Sequence, residues 1–454
     1  MSRLWPISIL ASVSLLSACA KGDSQVDLTV IPPGLVSDKV ALDLRCGIVN
    51  NSSSQQHYSA KLYAADSLLA EYSISLEAGC SWAQKHLLPA GTLQGEQKVT
   101  LKVSTKAKDY SKSEKVQVLP SPIRSINRIT GAWAGISHWS EEEGKHWNED
   151  IRKLTDEQWR EIVRSMHKIG LDMIVVQEVF RNEEYVGRHH TTIENYQGKA
   201  YYPSELYEGR MPIAAKDPLE ALFSEADKLG MKVMPGVGLF AWFDFTEESL
   251  EWHKAVAKEL WDMYGHHESF YGFYVSEESG GSLDNWEKTP EQRKQRSDEI
   301  VNFFREFKTY CSGFAPAKPI MLATNSFGVD GAQGVYENLL KYLDILCPFG
   351  FARMPEWDLT GKEVATILQG LCDGAGSHLW FDQEVFLFNP DNSLYPRDIE
   401  GIIEDLTLLD NFEKVLCYQY PGVFSDPESN FKVGEEKTKK LFVDYSNYLE
   451  SLTR

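Results

Sequence analysis

The sequence predicts an α/β protein, a (β/α)8 TIM barrel preceded by a small all-β domain of the immunoglobulin-like sandwich type. Two observations carry this prediction. Residues 26–119 contain short alternating runs broken by polar turns and show no helical periodicity. From residue 125 to the end, apolar strands alternate with amphipathic helices, and eight such units indicate a closed barrel of parallel strands.

The N-terminal strands are predicted wherever apolar and polar residues alternate between turn-forming segments. They cover residues 26–31, 39–49, 58–63, 71–76, 98–104 and 115–119. We interpret residues 26–119 as a spacer or docking domain, with glycan binding as the alternative. The Pro120-Ser121-Pro122 segment lies in the linker predicted at residues 120–124, and the catalytic barrel domain is predicted at residues 125–454.

The barrel strands are predicted from short apolar runs, which are typical of buried parallel strands. They cover residues 128–134, 172–177, 232–239, 270–276, 319–324, 345–349, 378–384 and 414–420. The fourth and seventh runs lead directly into carboxylates. In this fold the active site is built at the C-terminal ends of the strands, so these acids are the first candidates for chemistry.

Local start and stop signals mark the helices between these strands. Asp217 precedes a proline at the first helical position, Gly230 marks a helix end, and a final helix is predicted over residues 435–449. Acids such as Glu141 to Glu143 are expected to form solvated helix surfaces. Three capping boxes are predicted, at Thr155 with Gln158, Thr289 with Gln292 and Thr360 with Glu363.

The charge balance excludes nucleic acid as a partner. The chain has 66 acidic and 46 basic residues, a net charge of −20, and no basic cluster that could neutralise phosphates. No glycine-rich phosphate loop or serine nucleophile motif occurs, and no cofactor is predicted. His189 and His190 lack a spaced carboxylate partner, so a metal there is the weaker interpretation and no metal site is predicted.

The first 19 residues have the pattern of an export signal. Arg3 is followed by an apolar stretch from Leu4 to Leu16 that is too short to span a membrane. Leu16-Ser17-Ala18-Cys19 resembles a bacterial lipoprotein lipobox. The resemblance implies cleavage before Cys19, lipidation of its thiol and anchoring to a membrane of the cell envelope, with residues 20–25 as a polar leash.

Six cysteines remain after the predicted cleavage site, and export permits their oxidation. Cys46 and Cys80 either form one disulfide or remain free, because sequence does not fix connectivity. The other four are widely spaced and are expected to be buried free thiols, not metal ligands. They are Cys311, Cys347, Cys372 and Cys417.

Two carboxylates flanking a bond are what glycoside hydrolysis requires: one protonates the leaving oxygen, and the other attacks or stabilises the positively charged transition state. The ends of strands four and seven supply such acids at Glu277, Glu278 and Glu384. Side chains alternate along a strand, so only one of Glu277 and Glu278 is expected to enter the cleft unless the strand bulges.

The segment from Gly272 to Glu278 resembles the G-W-x-x-x-N-E stretch of a large superfamily of barrel glycoside hydrolases, with Phe273 at the Trp position. The resemblance implies that Glu278 is the acid/base, that Glu384 is the nucleophile and that cleavage retains configuration. Glu277 stands where that superfamily has an Asn that contacts the sugar 2-hydroxyl. The choice between Glu277 and Glu278, and the mechanism, therefore stay open.

Nearly the whole barrel is also similar to a family of exported bacterial lipoproteins classed as glycoside hydrolases of unknown specificity. The similarity rests on the Trp133 to Trp139 region, Asp217-Pro218-Leu219, the 271–274 strand and Leu379-Trp380 with Glu384. It implies a carbohydrate substrate. The alternatives are a glycan-binding lipoprotein that has lost activity and an enzyme of another class on the same scaffold.

Residues at the other strand ends are candidates for sugar binding, because the same end of the barrel carries them. Trp380 has the alternative of being barrel core, whereas Trp242 lies in a loop, where a run of aromatic residues is seldom buried. The loop from Phe180 to Pro212 is long enough to wall the cleft. The candidates are Trp133, His138, Gln177, Trp242, Asn325, Trp380 and Tyr418.

Overall fold

The computed structural model describes residues 23–182, 191–284 and 286–452. The predicted signal peptide with its lipidation site Cys19, the start of the leash, and His189 with His190 lie outside the described residues. Within the described part of the chain, no helix combines the length and the apolar character needed to cross a membrane.

In the described chain from residue 23 on, eight strands precede the barrel and form two sheets, one of three strands in the order β1-β3-β6 and one of five in the order β2-β8-β7-β4-β5. The prediction missed β2 and β6, because β6 is half exposed and its sequence mixes Lys85 and His86 with apolar residues. The strands are β1 (Gln25–Ile31), β2 (Gly34–Ser37), β3 (Ala41–Val49), β4 (Gln56–Ala64), β5 (Ser67–Leu76), β6 (Ser81–Pro89), β7 (Gly95–Ser104) and β8 (Asp109–Leu119).

The two N-terminal sheets enclose one apolar core, to which Leu42 of one sheet and Tyr58 and Leu101 of the other contribute. Cys46 is buried in this core, and burial raises the pKa of its thiol to about 12. Cys80 is exposed in the turn before β6, and both thiols are free. The disulfide considered from the sequence is therefore not formed, because only one of the two cysteines faces the core.

Eight parallel strands form the barrel sheet in the order β13-β10-β9-β20-β17-β16-β15-β14. Isolated bridges from Val233 to Phe270 and from Gly236 to Tyr274 join its first and last strands, so the ring is nearly closed. Seven of the predicted barrel runs contain one of these strands, and the run 270–276 overlaps β14, which continues to Ser279. The strands after β8 are β9 (Gly131–Ala134), β10 (Met173–Val176), β11 (Phe180–Arg181), β12 (Lys199–Ala200), β13 (Lys232–Pro235), β14 (Phe273–Ser279), β15 (Ile320–Thr324), β16 (Ile345–Leu346), β17 (His378–Glu384), β18 (Phe386–Phe388), β19 (Leu394–Pro396) and β20 (Lys414–Tyr418).

The helices confirm the predicted caps. All three capping boxes are formed, Asp217 accepts a hydrogen bond from the backbone N–H of Glu220, and Gly230 ends its helix with a left-handed φ of 68°. The predicted final helix is present. The helices are α1 (Asn148–Arg152), α2 (Asp156–Lys168), α3 (Pro218–Leu229), α4 (Glu247–Tyr264), α5 (Pro290–Ser312), α6 (Gln333–Leu339), α7 (Gly361–Ala375), α8 (Ile399–Leu408) and α9 (Glu436–Ser451).

Side chains alternate between the inside of the barrel and the surrounding helices. On β14, Tyr274 belongs to the inner apolar cluster, whereas Phe273 and Val275 belong to the outer one. On β17, Trp380 points inward in the same way. The barrel interior is therefore filled with side chains, and only residues beyond this packed layer can contact a ligand.

The N-terminal sheets close one end of the barrel. Ile31, at the end of β1, is fully buried in the inner cluster of the barrel. The hydroxyl of Tyr271 donates to the carbonyl of Val30 at 2.9 Å, and Arg45 forms an ion pair with Asp344 at 2.8 Å. Tyr271 and Asp344 precede their strands, so this contact covers the N-terminal ends of the strands and leaves the C-terminal ends open.

Candidate active site

A cavity of about 250 Å³ opens at the C-terminal ends of the barrel strands. It combines carboxylates, one guanidinium group and aromatic rings, which is a chemical composition suited to a polar ligand with apolar faces. The lining residues are His138, Trp139, Glu143, Glu278, Phe349, Arg353, Asp382, Glu384, Phe386, Phe388, Leu394 and Tyr418.

Glu278 enters the cavity from the end of β14. The pairing with β15 is irregular between Val275 and Ser279, so the strand end departs from a regular ladder where the acid lies. Burial, together with the charges of Glu178, Glu143 and Glu384, raises the pKa of Glu278 to about 7, and the charge of Arg353 opposes this rise. Glu278 can therefore hold a proton near neutral pH and release it there.

Glu277 points away from the cavity and is fully buried. Its Oε1 accepts hydrogen bonds from the backbone N–H groups of Phe240, at 2.8 Å, and Ala241, at 3.1 Å. Burial, with the charge of Asp244, raises the pKa of Glu277 well above its ordinary value. This residue anchors the loop after β13, so of the two neighbouring acids Glu278 is the one at the cavity.

Glu384, the last residue of β17, lies across the cavity and pairs with Arg353. Both Nε and Nη2 of Arg353 lie 2.8 Å from Oε1 of Glu384. The guanidinium group also lies over the ring of Phe327 at 5.6 Å. The ion pair fixes the position of the Glu384 carboxylate through its Oε1 atom.

Asp382 is a further acid of the cavity that the sequence analysis did not single out. It lies two residues before Glu384 on β17, so alternation places both on the inner face with Trp380. Burial, followed by the charges of Glu384 and Glu278, raises the pKa of Asp382 well above its ordinary value. Its Oδ1 is buried without a hydrogen-bond partner among the described residues.

Glu143 corrects the expectation that residues 141–143 form a solvated surface. Its side chain is only 22% exposed and lines the cavity, because the loop after β9 folds over the strand ends. Burial raises the pKa of Glu143 to about 7. Its Oε2 lies 3.5 Å from Nε2 of His138, whose pKa burial lowers to about 4, so that the imidazole is neutral.

The other candidates from the sequence divide into two groups. His138 and Tyr418 line the cavity, and Trp242 contacts the cavity residue Trp139 with ring centroids 5.4 Å apart. Trp133 and Trp380 are instead fully buried in the barrel core. Their placement does not support a sugar-stacking role, because the packed interior separates them from the cavity.

Gln177 and Asn325 do not line the cavity. Asn325 accepts hydrogen bonds from the backbone N–H groups of Gly281, at 2.9 Å, and Phe327, at 3.0 Å, and so ties together the loops after β14 and β15. Beside Gln177, the buried Glu178 accepts from Arg181 at 3.2 Å, and burial raises the pKa of Glu178 to about 7. Glu178 therefore affects the cavity through its charge, which raises the pKa of Glu278.

Three cavity features escaped the sequence analysis. Arg353 follows the sixth strand by a few residues. A basic residue so close to a predicted strand end could have been recognised from the sequence as a candidate. Asp382 could have been found from its alternation with Glu384. Phe386 and Phe388 belong to the β18–β19 hairpin, which only the tertiary structure brings to the cavity.

One cluster among the described residues has the composition of a metal site, namely Glu220, His266 and His267. It lies between α3 and the loop before β14, and none of its members lines the cavity. His267 has Nδ1 2.6 Å from Asp227 and Nε2 3.1 Å from Glu220. The imidazole of His267 therefore lies between two carboxylates of α3. These contacts link α3 to the loop before β14 and explain the cluster without a metal ion.

The fold is similar to that of a candidate α-L-fucosidase from Bacteroides thetaiotaomicron VPI-5482. The two share 18% identity with a TM-score of 0.53, over 73% of this chain and 96% of that one. A GH2 β-galacturonidase from Eisenbergiella tayi shares 12% identity with a TM-score of 0.40, over 94% of this chain and 72% of that one. At such identities the first likeness shows the fold alone.

No curated protein sequence matches this chain. A family profile does match, over residues 129–431, which span the barrel from β9 to the loop before α9. Because the match covers more than half of the chain, the protein belongs to the family described as Domain of unknown function (DUF4434).

Proposed function

We propose that this protein is a glycoside hydrolase that uses Glu278 and Glu384 to cleave a glycosidic bond of an oligosaccharide or polysaccharide. One observation carries the proposal: both acids reach one cavity from strands β14 and β17, in different electrostatic environments. A carboxyl group that can hold a proton near neutral pH, facing a second carboxyl group that pairs with a cation, is the arrangement that this reaction needs.

Glu278 is the proton donor in this proposal. Its pKa of about 7 leaves a large protonated fraction at neutral pH, so it can protonate the leaving oxygen as the bond breaks. The negative charges of Glu143 and Glu178 help to keep that proton in place. After the leaving group departs, the same carboxylate can accept a proton from the incoming water.

Glu384 is the nucleophile in this proposal, and cleavage retains the anomeric configuration. The ion pair with Arg353 places a positive charge 2.8 Å from Oε1 of Glu384 and fixes the position of its carboxyl group at the cavity. Asp382 is less suited to attack, because burial between two other acids favours its protonated form. A neutral Asp382 can donate a hydrogen bond into the cavity.

The alternative is a lipoprotein that binds glycan without cleaving it. The position before Glu278 favours it: Glu277 is turned into the protein, so no residue there can contact the sugar as the Asn of the resembling superfamily does. A binding protein would hold glycan equally well after loss of either cavity acid.

The test is hydrolysis by the purified protein of aryl glycosides and of plant, host and microbial glycans. Glu278→Gln and Glu384→Gln are compared with the wild type and with Glu247→Gln, an exposed acid at the start of α4. We expect both cavity variants to lose at least about a hundredfold in kcat, and the Glu247 variant to remain active. Proton NMR of the first product formed identifies its anomer, and an inverted product would exclude Glu384 as a nucleophile.

Binding of a glycan that is not cleaved, with equal affinity in both cavity variants, would favour the alternative. Full activity in Glu278→Gln would remove the proposed proton donor. Activity that depends on an added metal ion would instead favour an enzyme of another class on the same scaffold.

We also infer a modular exported lipoprotein. Residues 1–19 hold the signal peptide with its lipobox, cleavage occurs before Cys19 and that thiol carries the lipid, residues 26–119 form the immunoglobulin-like domain and residues 125–454 the catalytic domain. The location would be a membrane of the cell envelope. Cell fractionation tests the anchor: the wild type should sediment with membranes, and Cys19→Ala should move to the soluble fraction. Equal membrane association of both would contradict lipidation at Cys19.

A further inference from the structure

Four aromatic side chains form a continuous row that leads out of the cavity. The row consists of Trp139, Trp242, Phe243 and Trp286, in that order. Successive ring centroids lie 5.4, 5.6 and 5.3 Å apart, and the first and last of these contacts are edge-to-face. The rings come from three separate loops, which follow β9, β13 and β14, so only the folded barrel assembles the row.

Both ends of this aromatic row are open to solvent. Trp139 is 45% exposed and lines the cavity, and Trp286 is 51% exposed at the far end. Trp242 and Phe243 between them are partly buried. Single exposed aromatic residues are ordinary on protein surfaces, whereas two exposed tryptophans linked by ring contacts through partly buried rings form an extended apolar patch suited to a ligand.

The two rings of the row farthest from the cavity, Phe243 and Trp286, stand on residues with an unusual backbone conformation. Phe243 has a φ of 58° and Trp286 a φ of 56°, a left-handed conformation that bulky residues rarely adopt. Trp286 also packs on Gly280, where an added β-carbon would lie 2.7 Å from Cζ2 of the indole. Glu278 is two residues before Gly280, so the row passes over the strand end that carries the proposed proton donor. Backbone strain of this kind persists only where the surrounding structure holds the residue in place, and it is common at functional sites.

The cavity charges restrict which sugars fit at the inner end of the row. The described lining has four carboxyl groups, on Glu143, Glu278, Asp382 and Glu384, and one guanidinium group, which is already paired with Glu384. A sugar carboxylate or sulfate would meet the acidic groups of Glu384, Glu278 and Glu143, and the one guanidinium group of the described lining is already engaged by Glu384. Neutral sugars suit both the aromatic row and the acidic cavity. Their C–H faces pack on aromatic rings, and their hydroxyl groups can form hydrogen bonds with the acids.

We propose that the substrate is a chain of at least three neutral sugar units, one held in the cavity and the rest along the aromatic row. The inference rests on the proposed function, since the row begins at the proposed catalytic cavity. Binding along the row raises the rate on long substrates, because remote contacts position the bond at Glu278 and Glu384.

The test is affinity electrophoresis of the full chain carrying Glu278→Gln, in gels that contain xylan, β-glucan, galactomannan or polygalacturonate. Trp242→Ala and Trp286→Ala are added singly to this background. Tyr310→Ala is the matched control, because Tyr310 is 37% exposed near the C-terminal end of α5, away from the row. The melting temperature of each variant confirms that it is folded. Wild-type hydrolysis of aryl monoglycosides is measured in parallel.

We expect at least one neutral polymer, and not polygalacturonate, to retard the parent protein and the Tyr310 variant. Each tryptophan variant should lose at least tenfold in affinity for that polymer. Equal retardation of all variants would overturn the role of the row, and stronger retardation by polygalacturonate would overturn the neutral class. Hydrolysis of an aryl glycoside without retardation by any polymer would overturn the row but leave the proposed function standing. Neither hydrolysis nor retardation would count against both.

Discussion

Glu277 and Glu278 are adjacent in the sequence, yet their carboxyl groups lie on opposite sides of β14. Glu278 lines the cavity, while Glu277 accepts two backbone hydrogen bonds from the loop after β13. Alternation along the strand produces this separation and gives the two acids different roles. One is available to a ligand, and the other holds a loop that carries part of the aromatic row.

Substitutions at these two positions should therefore affect different properties. Glu277→Ala leaves two buried backbone N–H groups without an acceptor, and we expect the free energy of unfolding to fall by about 2–3 kcal/mol. Its kcat on an aryl glycoside should fall less than tenfold. Glu278→Gln should keep the stability and lose activity. Urea denaturation and initial rates check both, and an inactive but fully stable Glu277→Ala would contradict this division.

The pH dependence of kcat/KM should show Glu278 as an acid. Its pKa is raised to about 7 and activity needs the proton, so the rate should fall as the pH rises above about 7. The charge of Glu143 contributes to that raised pKa, so Glu143→Gln should move the falling limb to lower pH. Glu142→Gln, an exposed neighbour, is the control and should leave it in place. A limb that does not move in Glu143→Gln would contradict this coupling.

Arg353 should act on the same limb in the opposite direction. Its charge lowers the pKa of Glu278, so Arg353→Met should move the falling limb to higher pH. Removal of the partner of Glu384 should also lower kcat by at least about tenfold, since the carboxylate loses a charge-assisted hydrogen bond and its ion pair. Arg124→Met, which removes a surface pair with Asp373, is the matched control. An unchanged pH profile would show that Arg353 does not face Glu278.

The contact between the N-terminal sheets and the barrel depends on a buried ion pair. The side chain of Lys414 is fully buried, and its Nζ lies 2.5 Å from Oδ1 of Asp172, whose other oxygen accepts from the backbone N–H of Leu35. Asp172→Asn leaves the ammonium group buried and unpaired, and we expect a loss of about 3–5 kcal/mol in unfolding free energy.

Adding Lys414→Met to Asp172→Asn should recover most of that loss, because it removes the unpaired charge. Thermal and urea denaturation measure both variants. A double variant no more stable than Asp172→Asn would show that the packing around Lys414, not its charge, maintains the contact.

His378 should make this contact weaker as the pH rises. Its Nδ1 lies 2.6 Å from Glu413 and its Nε2 3.4 Å from Asp43 of β3, while Lys85 and Arg45 pair with Asp43 from the other side. Burial lowers the pKa of His378, but the two carboxylates outweigh burial and raise it.

A raised pKa in the folded state means that the protonated ring stabilises the fold. This contribution is complete below the unfolded pKa of about 6.5 and is lost as the pH rises through the higher folded value. The free energy of unfolding, measured across that interval, should therefore fall more steeply in the wild type than in His378→Gln. Equal slopes for the two proteins would contradict the prediction.

Part of the candidate site could be predicted because it depends on short-range patterns. The runs that end in Glu278 and Glu384 identify strand ends, and barrel strands place all such ends on one side. Glu143, Arg353 and the β18–β19 hairpin could not be predicted in the same way. They reach the cavity from loops whose paths depend on packing against other strands.

The sequence by itself determined the eight barrel strands and the helix caps, because apolar runs and capping residues act over a few neighbouring positions. Alternation along β14 also predicts that Tyr274 and Glu278 lie on the same face of the strand. The tertiary structure alone decided that Trp133 and Trp380 lie in the barrel core and that Cys46 and Cys80 remain free. It also decided that Ile31 helps to close the barrel at the N-terminal ends of its strands. These outcomes depend on contacts between segments that lie far apart in the sequence. Only the folded chain determines how deeply a side chain is buried and how far it lies from another.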